Sequence, residues 1–290
     1  MSGHIPVLLH ETLDVLDPSP GQIILDCNLN RAGHSIEIAK RLGEKGTIIG
    51  IDLDANALNE AQELLSKLKA HPRICLMHDN FKNLDIVLEE LQIKNVDAVL
   101  FDLGLSSQEL DTSGRGFTFQ KDEPLYMTYQ SNIVPETLTA KDVLNLWEEE
   151  TLADIIYAYG GERNSRKIAK EIVSFRKQQP LETTFDLVEC IRRATPSRFQ
   201  SGKTHFATKT FQAIRIVVND EIETLREALQ KAYEALNPKG KLVVITFHSL
   251  EDKIVKEFFK ELYNQKLISY SNKKPIVPGR DEVKSNPRAR

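Results

Sequence analysis

Cysteine is scarce in this 290-residue sequence. The three present, Cys27, Cys75 and Cys190, are odd in number and far apart, which argues against a disulfide framework and for a reducing, cytoplasmic setting. Cys75 and His78 make one C-x-x-H pair, whereas a zinc site needs four ligands, so no metal is expected. Long apolar runs are missing too. None approaches the roughly eighteen residues of a membrane span, and the content of 41% hydrophobic and 28% charged residues is that of a soluble globular protein. The amino terminus, MSGHIPVLLHE, has neither a basic flank nor an export-type cleavage site, so secretion is not expected. Internal repeats and low-complexity tracts are absent from the sequence.

What is present is an alternation. Ile23-Leu25, Thr47-Ile51, Arg73-Met77 and Val96-Phe101 read as strands, separated by helical stretches such as Ala55 to Leu68, with Leu58, Ala61, Leu64 and Leu65 in helical spacing. Strand alternating with helix implies a parallel sheet covered by helices on both faces. After Phe101 the alternation stops. Residues 108–206 contain only helical segments: Leu138 to Tyr159, opening with Thr139 and Asp142 in capping-box spacing, then Arg163 to Gln179 and Thr184 to Ala194, stopped by Pro180 and Pro196. A helix over Glu221-Leu236, a turn at Asn237-Pro238-Lys239-Gly240 and a strand at Lys241-Phe247 follow. The expected architecture is an α/β domain, residues 1–107 and 207–290, interrupted by a helical insertion over 108–206. The polar, basic last twenty residues are expected to be ordered only by contact.

The decisive shortage is of glycine in one loop. Asp26 closes the first strand and a helix follows (Ile36, Ala39, Leu42). Between them stands LDCNLNRAGHS, residues 25–35, with Gly33 as its one glycine, where a dinucleotide-binding loop carries G-x-G-x-x-G. Those glycines let backbone approach a pyrophosphate; S-adenosylmethionine has none, and its loop tolerates side chains. Asn28 and Asn30 can also enter left-handed conformations at less cost than most residues. In an open α/β sheet, ligands bind beyond the carboxyl ends of the strands, and acids stand at each of those ends: Asp26, Asp52, Asp79 and Asp102. Asp52 is placed to accept both hydroxyls of a ribose, and Asp26 to hold an amino group through water. Aspartates also cap helices at such turns, but four in register favour a methyl-donor site.

The acceptor end is LFDLGLSSQELD. Asp102 and the carbonyls of Leu103 and Gly104 can accept hydrogen bonds from an exocyclic amine held for in-line displacement. Gly104 lets a planar base approach the backbone. Ser106 and Ser107 read as helix caps, since no histidine–acid pair stands near them for nucleophilic work. The charge is uneven. Arg163 to Arg215 holds 12 Lys/Arg against 4 Asp/Glu, a net of +8 in a chain of net −4, which suits either a solvated helix face or a polyanion site.

With these residues in view, the sequence resembles the bacterial 16S rRNA (cytosine-N4) methyltransferase family, known as MraW or RsmH. The likeness is carried by HIPVLLHE (His4 to Glu11), RAGHS (Arg31 to Ser35), DLGLSSQELD (Asp102 to Asp111), RGFTF (Arg115 to Phe119) and YGGER (Tyr159 to Arg163). ATKTFQAIRIVVNDE (Ala207 to Glu221), FHSLEDKIVK (Phe247 to Lys256) and NPRAR (Asn286 to Arg290) extend it over nearly the whole chain. It implies a class I S-adenosylmethionine-dependent methyltransferase fold, a Rossmann-like doubly wound sheet with a helical insertion for RNA recognition. It further implies transfer of a methyl group to the N4 amine of a cytidine in 16S rRNA within the small ribosomal subunit, with no membrane partner and with a homodimer allowed. By position, Ala32, Gly33, His34, Asp52, Phe81, Asp102 and Glu109 would contact the donor, with Phe81 flanking its adenine. Asp102 and His248 would be catalytic. Arg115, Phe117, Tyr126, Arg215 and Asn219 would shape the substrate pocket, Phe119 would stack beside Phe117 and Tyr126 on a displaced base, and Arg166, Lys167 and Lys170 would grip phosphates.

The sequence departs from the family pattern at Asn28 (usually Thr), Asn30 (usually Gly) and Glu109 (usually Gln), and in EPLYMTYQ, Glu123 to Gln130. There Tyr126 stands for Asp and Thr128 for Arg in a segment expected to close over the active site. The family also continues briefly past the NPRAR with which this sequence stops. Two other readings stay open. Tyr126 and Thr128 suit a non-catalytic or weakly active rRNA-binding protein of the same fold, which would bind donor without transferring methyl. The strand-end acids alone suit a nicotinamide-dependent oxidoreductase, against which the missing glycines count.

Overall fold

The five apolar runs become five strands of one sheet in the computed structural model, which describes residues 6–69, 72–104, 113–130, 132–202, 204–272, 274–286 and 289. Strands β1 (Ile23–Asp26), β2 (Thr47–Asp52), β3 (Arg73–His78), β4 (Val96–Asp102) and β5 (Leu236–Ile245) pair in the order β3-β2-β1-β4-β5, every pair parallel. Around them lie α1 (Leu9–Leu16), α2 (Gly33–Leu42), α3 (Ala55–Ser66) and α4 (Leu84–Glu90). The helical segment supplies α5 (Ala140–Leu146), α6 (Glu149–Gly160), α7 (Ser165–Arg176), α8 (Thr184–Ala194) and α9 (Thr208–Val218). Then come α10 (Glu221–Ala235), α11 (Ser249–Asn264) and α12 (Arg280–Ser285). No helix among the described residues is long and apolar enough to cross a membrane.

Successive strand residues point to opposite faces, and both faces are covered. Ile24, Ile48, Ala98 and Leu100 cluster with Leu13 and Leu16 of α1 and Ile38 and Leu42 of α2. Leu25, Ile49, Ile51, Val99 and Phe101 cluster with Leu84 and Val87 of α4, Leu225 and Leu229 of α10, and Ile254 of α11. Two-sided burial is why the strands read as continuous apolar runs rather than alternating ones. Each such side chain taken out of water contributes about 1.5–3 kcal/mol. The α/β doubly wound fold expected from the sequence is the one observed.

The chain runs from β1 through β2 to β3 on one side, then crosses β1 to β4 and β5 on the other. That reversal puts the topological switch point between the carboxyl ends of β1 and β4, where open sheets of this kind bind ligands. Asp26 ends β1 and Asp102 ends β4; Asp52 ends the neighbouring β2, and Asp79 follows β3.

The chain forms two compact units, Met1–Gly104 with Ile222–Arg290, and Leu105–Glu221. Residues 207–221, expected in the sheet domain, therefore belong with the helical unit. The reason is packing: Ala207, Phe211 and Ile214 are buried in the core that also holds Leu144, Leu152, Ile168, Ile172, Leu187 and Ile191. The helix expected over 138–159 is two helices. Trp147 is extended (ψ 151°), and the acids Glu148 to Glu150 begin a fresh helix, as suits the positive end of its dipole. The capping box at Thr139 and Asp142 is present as expected. The turn expected before the last strand lies inside β5, between the pairs Val96–Leu236 and Ala98–Lys241, with Lys239 at φ 71° and the Asn237 amide donating to Asp97 at 2.9 Å. It is a bulge, paired at both ends. Near the carboxyl end, Glu282 accepts the Leu8 N–H at 2.7 Å and Ala289 is buried against the α1 and α2 face.

Candidate active site

The loop after β1 solves its glycine shortage with two residues of positive φ, Asn30 at 49° and Ala32 at 56°. Asn30 was expected there; Asn28 is not among the positive-φ residues, and Ala32, the residue before α2, takes its place. An alanine held left-handed costs about 1–2 kcal/mol. Here it is fixed by its N–H to the Leu29 carbonyl (2.7 Å) and by full burial. Gly33 serves a different need: a Cβ on it would lie 2.4 Å from Pro6 Cγ. The helix α2 thus starts hard against Pro6 and presents the unbonded N–H groups of its first turn at the rim.

The strand-end acids divide the work. Asp52 ties the loop down: its Oδ2 accepts the Asn30 N–H at 2.7 Å and its Oδ1 the Asp54 N–H at 2.9 Å. A carboxylate oxygen accepts more than one hydrogen bond, so holding the loop does not prevent Asp52 from bonding a diol. Asp79 accepts from the Asn80 N–H (2.6 Å) and the Asn83 amide (2.8 Å), which sets the turn that carries Phe81. Phe81 is half-buried, edge-on to the buried Phe101 with centroids 5.6 Å apart. Glu109 lies outside the described residues, as do Ser106 and Ser107.

Asp26 is 2% exposed and takes hydrogen bonds from the Ser35 hydroxyl (2.6 Å) and the Asn28 N–H (3.3 Å). Burial pushes its carboxyl up to about 6; the Ser35 bond and the His34 charge oppose this, the Asp102 charge adds to it, and the Asn28 N–H opposes it. Asp102 places Oδ2 3.3 Å from Nδ1 of His34. Its other oxygen, Oδ1, is buried without a partner among the described residues, and so is Oδ1 of Asn28. Both are acceptors. Beside the N–H groups of α2, the rim therefore holds two unmet acceptors and the carboxylates of Asp26 and Asp102, which suits a ligand that carries positive charge and N–H groups. Next to Asp102, Gly104 takes φ 95°, and a Cβ there would crowd the Phe247 ring at 3.3 Å.

His248, expected to be catalytic, has a structural task at the end of β5. It caps α11: Nδ1 accepts the Glu251 N–H (3.4 Å), Nε2 lies 3.1 Å from the Glu251 carboxylate, and that carboxylate accepts the Phe247 N–H at 2.9 Å. T-F-H-S-L-E-D spells a capping box as well as a strand end, and the capping box is present.

The helical unit builds its own cluster around residues 126–130. Arg115 donates to the carbonyls of Tyr129 (2.7 Å) and Thr128 (3.4 Å). Asn219 accepts the Tyr129 N–H at 2.8 Å and donates to the Met127 carbonyl at 2.7 Å. Arg215 forms two bonds to Glu221 (2.8 and 2.9 Å), and the Tyr129 hydroxyl donates to the same carboxylate at 2.7 Å. Arg115, Arg215 and Asn219, expected to line a pocket, thus clamp this segment; Tyr129 and Glu221, which sequence reasoning passed over, complete the clamp. Phe117 is 6% exposed and stacked on Tyr129, and Phe119 is stacked on His205 with centroids 4.4 Å apart. Of the three aromatics expected to meet a base, Tyr126 is the one with an exposed ring. Arg166, Lys167 and Lys170 are exposed on α7, opposite the buried Ile168, Ala169 and Ile172. None pairs with a carboxylate among the described residues.

The family model for the MraW methylase family matches residues 1–290 of this chain. The ribosomal RNA small subunit methyltransferase H of Clostridium botulinum is 45% identical over 302 residues, spanning 99% of this chain and 96% of that protein. The protein of the same name from Brevibacillus brevis is 41% identical over 302 residues, spanning 99% and 95%.

Proposed function

Because the chain belongs to the MraW methylase family, we propose that it methylates small-subunit ribosomal RNA with S-adenosylmethionine as donor, and that the acceptor is the N4 amine of a cytidine in 16S rRNA. The observation that carries the site reading is Oδ1 of Asp102, buried and without a partner among the described residues at the switch point of the sheet. A buried acceptor without a donor costs about 1–3 kcal/mol, so it marks where a ligand N–H belongs. When bound, S-adenosylmethionine supplies a methyl group on a sulfonium, an electrophile that needs no metal to react.

The chain's residues then have these tasks. Asp52 accepts the ribose hydroxyls, Phe81 flanks the adenine, and the first turn of α2, from Ala32 to Ser35, borders the methionine part, with Asp26 and the Asn28 side chain facing its amino group. His34 can offer the donor its backbone N–H only, since its ring is occupied elsewhere. Asp102 accepts a proton-bearing hydrogen bond from the amine and orients its lone pair along the line of displacement. Its charge favours the cation that develops on that nitrogen. Gly104, with no side chain, lets the Phe247 ring pack close to the strand end. Arg166, Lys167 and Lys170 hold phosphates of the RNA, which sets register without reading sequence. The substrate is 16S rRNA within the small ribosomal subunit, and the setting is the cytoplasm, in keeping with three free thiols at Cys27, Cys75 and Cys190.

The test is methyl transfer to undermethylated small subunits, with nucleosides from the digested rRNA identified by mass spectrometry. N4-methylated cytidine should appear with the wild type. With Asp102→Asn the single-turnover rate at saturating donor should fall about 10²–10³-fold, the usual cost of removing one such charged contact. A protein that binds donor and subunit and leaves cytidine N4 unmodified overturns the proposal and makes the chain an rRNA-binding member of the family.

A further inference from the structure

His34 stands at the second position of α2 with its ring 3% exposed, and both ring nitrogens face acceptors. Nε2 lies 3.1 Å from the Val7 carbonyl, which has no proton to give, so Nε2 carries a hydrogen. Nδ1 lies 3.3 Å from Oδ2 of Asp102, and a carboxylate likewise only accepts. A neutral ring has one N–H. Either neutral tautomer would therefore set a lone pair against an oxygen lone pair, in a site too buried for water to intervene. The ring that satisfies both neighbours is the imidazolium.

The surroundings agree. Asp102 faces the ring from β4, Asp26 lies nearby at the end of β1, and the segment before α1 supplies the Val7 carbonyl. Burial works against a charged ring, but the bond to Asp102, the charges of Asp102 and Asp26 and the Val7 carbonyl outweigh it and raise the pKa of His34. Two acids and one cation leave the cluster with one net negative charge, a load that a cationic ligand would balance.

We propose that His34 is a positioning residue: as a buried imidazolium it holds Oδ2 of Asp102, and by doing so keeps Oδ1, which has no partner among the described residues, aimed at the acceptor amine. This rests on the methyltransferase reading given above. Asp102 has 19% of its side chain exposed, and its carboxylate can rotate about χ2 unless one oxygen is fixed. Fixing Oδ2 on His34 leaves one oxygen with one direction. The ring is anchored in turn by Val7, so the start of α1, α2 and the end of β4 are joined through a single side chain. The histidine in the R-A-G-H-S motif then acts on the reaction through Asp102, without touching the reacting atoms.

The state of the ring is measured directly by ¹⁵N NMR of histidine-labelled protein without ligands, the His34 signals being those that disappear in His34→Gln. Both ring nitrogens should keep imidazolium shifts at pH 7.5, and in Asp102→Asn the pKa of His34 should drop by about one unit or more, as expected when a charge within ~4–6 Å is removed. A neutral His34 at pH 7.5, or one indifferent to Asp102→Asn, overturns the proposal. If His34→Gln does not fold, substituting the other six of the seven histidines one at a time assigns the His34 signals by elimination, and Asp102→Asn then decides the matter. Where the Gln variant folds, its single-turnover rate should fall at least about tenfold while its affinity for S-adenosylhomocysteine changes less than threefold. The wild-type decline in rate as His34 deprotonates at high pH should vanish with it. Equal loss of rate and affinity would make His34 part of the donor pocket and overturn the positioning role. Because the NMR readout needs no activity, a chain that methylates nothing but keeps a charged His34 would fault the function, and an active enzyme with a neutral His34 would fault this inference.

Discussion

The Ser35 hydroxyl donates to Oδ2 of Asp26 across 2.6 Å, in a pocket where neither residue is more than 2% exposed. An aspartate at the end of β1 is thereby kept in the protein interior with its acceptors largely satisfied by the helix that follows. The pair couples the ligand rim to folding, because a buried carboxylate is costly whenever it is charged.

That cost gives a pH signature. Burial holds the Asp26 carboxyl up to about 6, against 3.8 for a free one. Between about pH 4 and 6 the folded protein keeps a proton that the unfolded chain has given up. The penalty of ionising Asp26 is therefore absent below about pH 4 and fully present above about pH 6, on the order of a few kcal/mol. Asp26→Asn removes it. Compared with wild type, the variant should gain stability as pH rises from about 4 to 7, read as the difference in urea midpoints. Parallel pH curves would place Asp26 in the ordinary carboxylate range.

Asp52 has two roles that one substitution would confuse. Asp52→Ala unties the Asn30 and Asp54 N–H groups as well as removing the proposed ribose acceptor. Affinity for S-adenosylhomocysteine should fall by about 1.5–3 kcal/mol, roughly 10–100-fold, by calorimetry. Asp52→Asn keeps an acceptor for the loop but loses the charge, and should sit between the two. Identical affinities in all three proteins would remove Asp52 from the site.

The acids just discussed were legible in the sequence, because a short apolar run followed by Asp reports a strand end whatever the rest of the chain does. The doubly wound fold was legible for the same reason. Ala32 was not: alanine carries no signal for a left-handed backbone, which is held by its N–H bond to the Leu29 carbonyl and by its burial. The Asp26, His34 and Asp102 cluster depends on β1 lying beside β4, a pairing across some seventy residues that no local pattern encodes. The capping role of His248 was hard to read because an N-cap and a catalytic group at a strand end use the same residue types. The boundary near residue 207 misled because the apolar stripe Ala207, Phe211, Ile214 looks alike whichever core it joins.

The exposed face of α7 makes an ionic-strength prediction. Reversing charge at Arg166, Lys167 and Lys170 together should weaken binding to small-subunit rRNA and flatten the dependence of log affinity on log salt. The slope should change by up to about 0.7–0.9 for each phosphate that is no longer neutralised. Donor affinity should not move, since these residues lie in the helical unit and the proposed donor residues at the ends of β1, β2 and β4 lie in the sheet unit. An unchanged salt slope would mean that α7 offers only a solvated face.

The segment Glu123 to Gln130 tests whether Tyr126 and Thr128, where the family pattern has an acid and a base, are defects or a fitted pair. Thr128 is 3% exposed, with its backbone carbonyl taken by Arg115 and its hydroxyl accepting the Gln130 N–H at 3.2 Å. Leu125 and Met127 on either side of Tyr126 are fully buried. Arginine at position 128 would have to displace that packing or bury a charge beside the Arg115 guanidinium, so Thr128→Arg should lower the thermal midpoint by about 4–10 °C. Tyr126 differs: the residue is 36% exposed while its backbone is held by Pro124 and Ala140. Tyr126→Asp should leave the midpoint nearly unchanged and reduce the methylation rate, because the exposed ring is removed and no arginine stands at 128 to meet the new charge. A faster Tyr126→Asp enzyme would show that tyrosine there is a handicap, and a stable Thr128→Arg protein would show that the segment opens more readily than its hydrogen bonds imply.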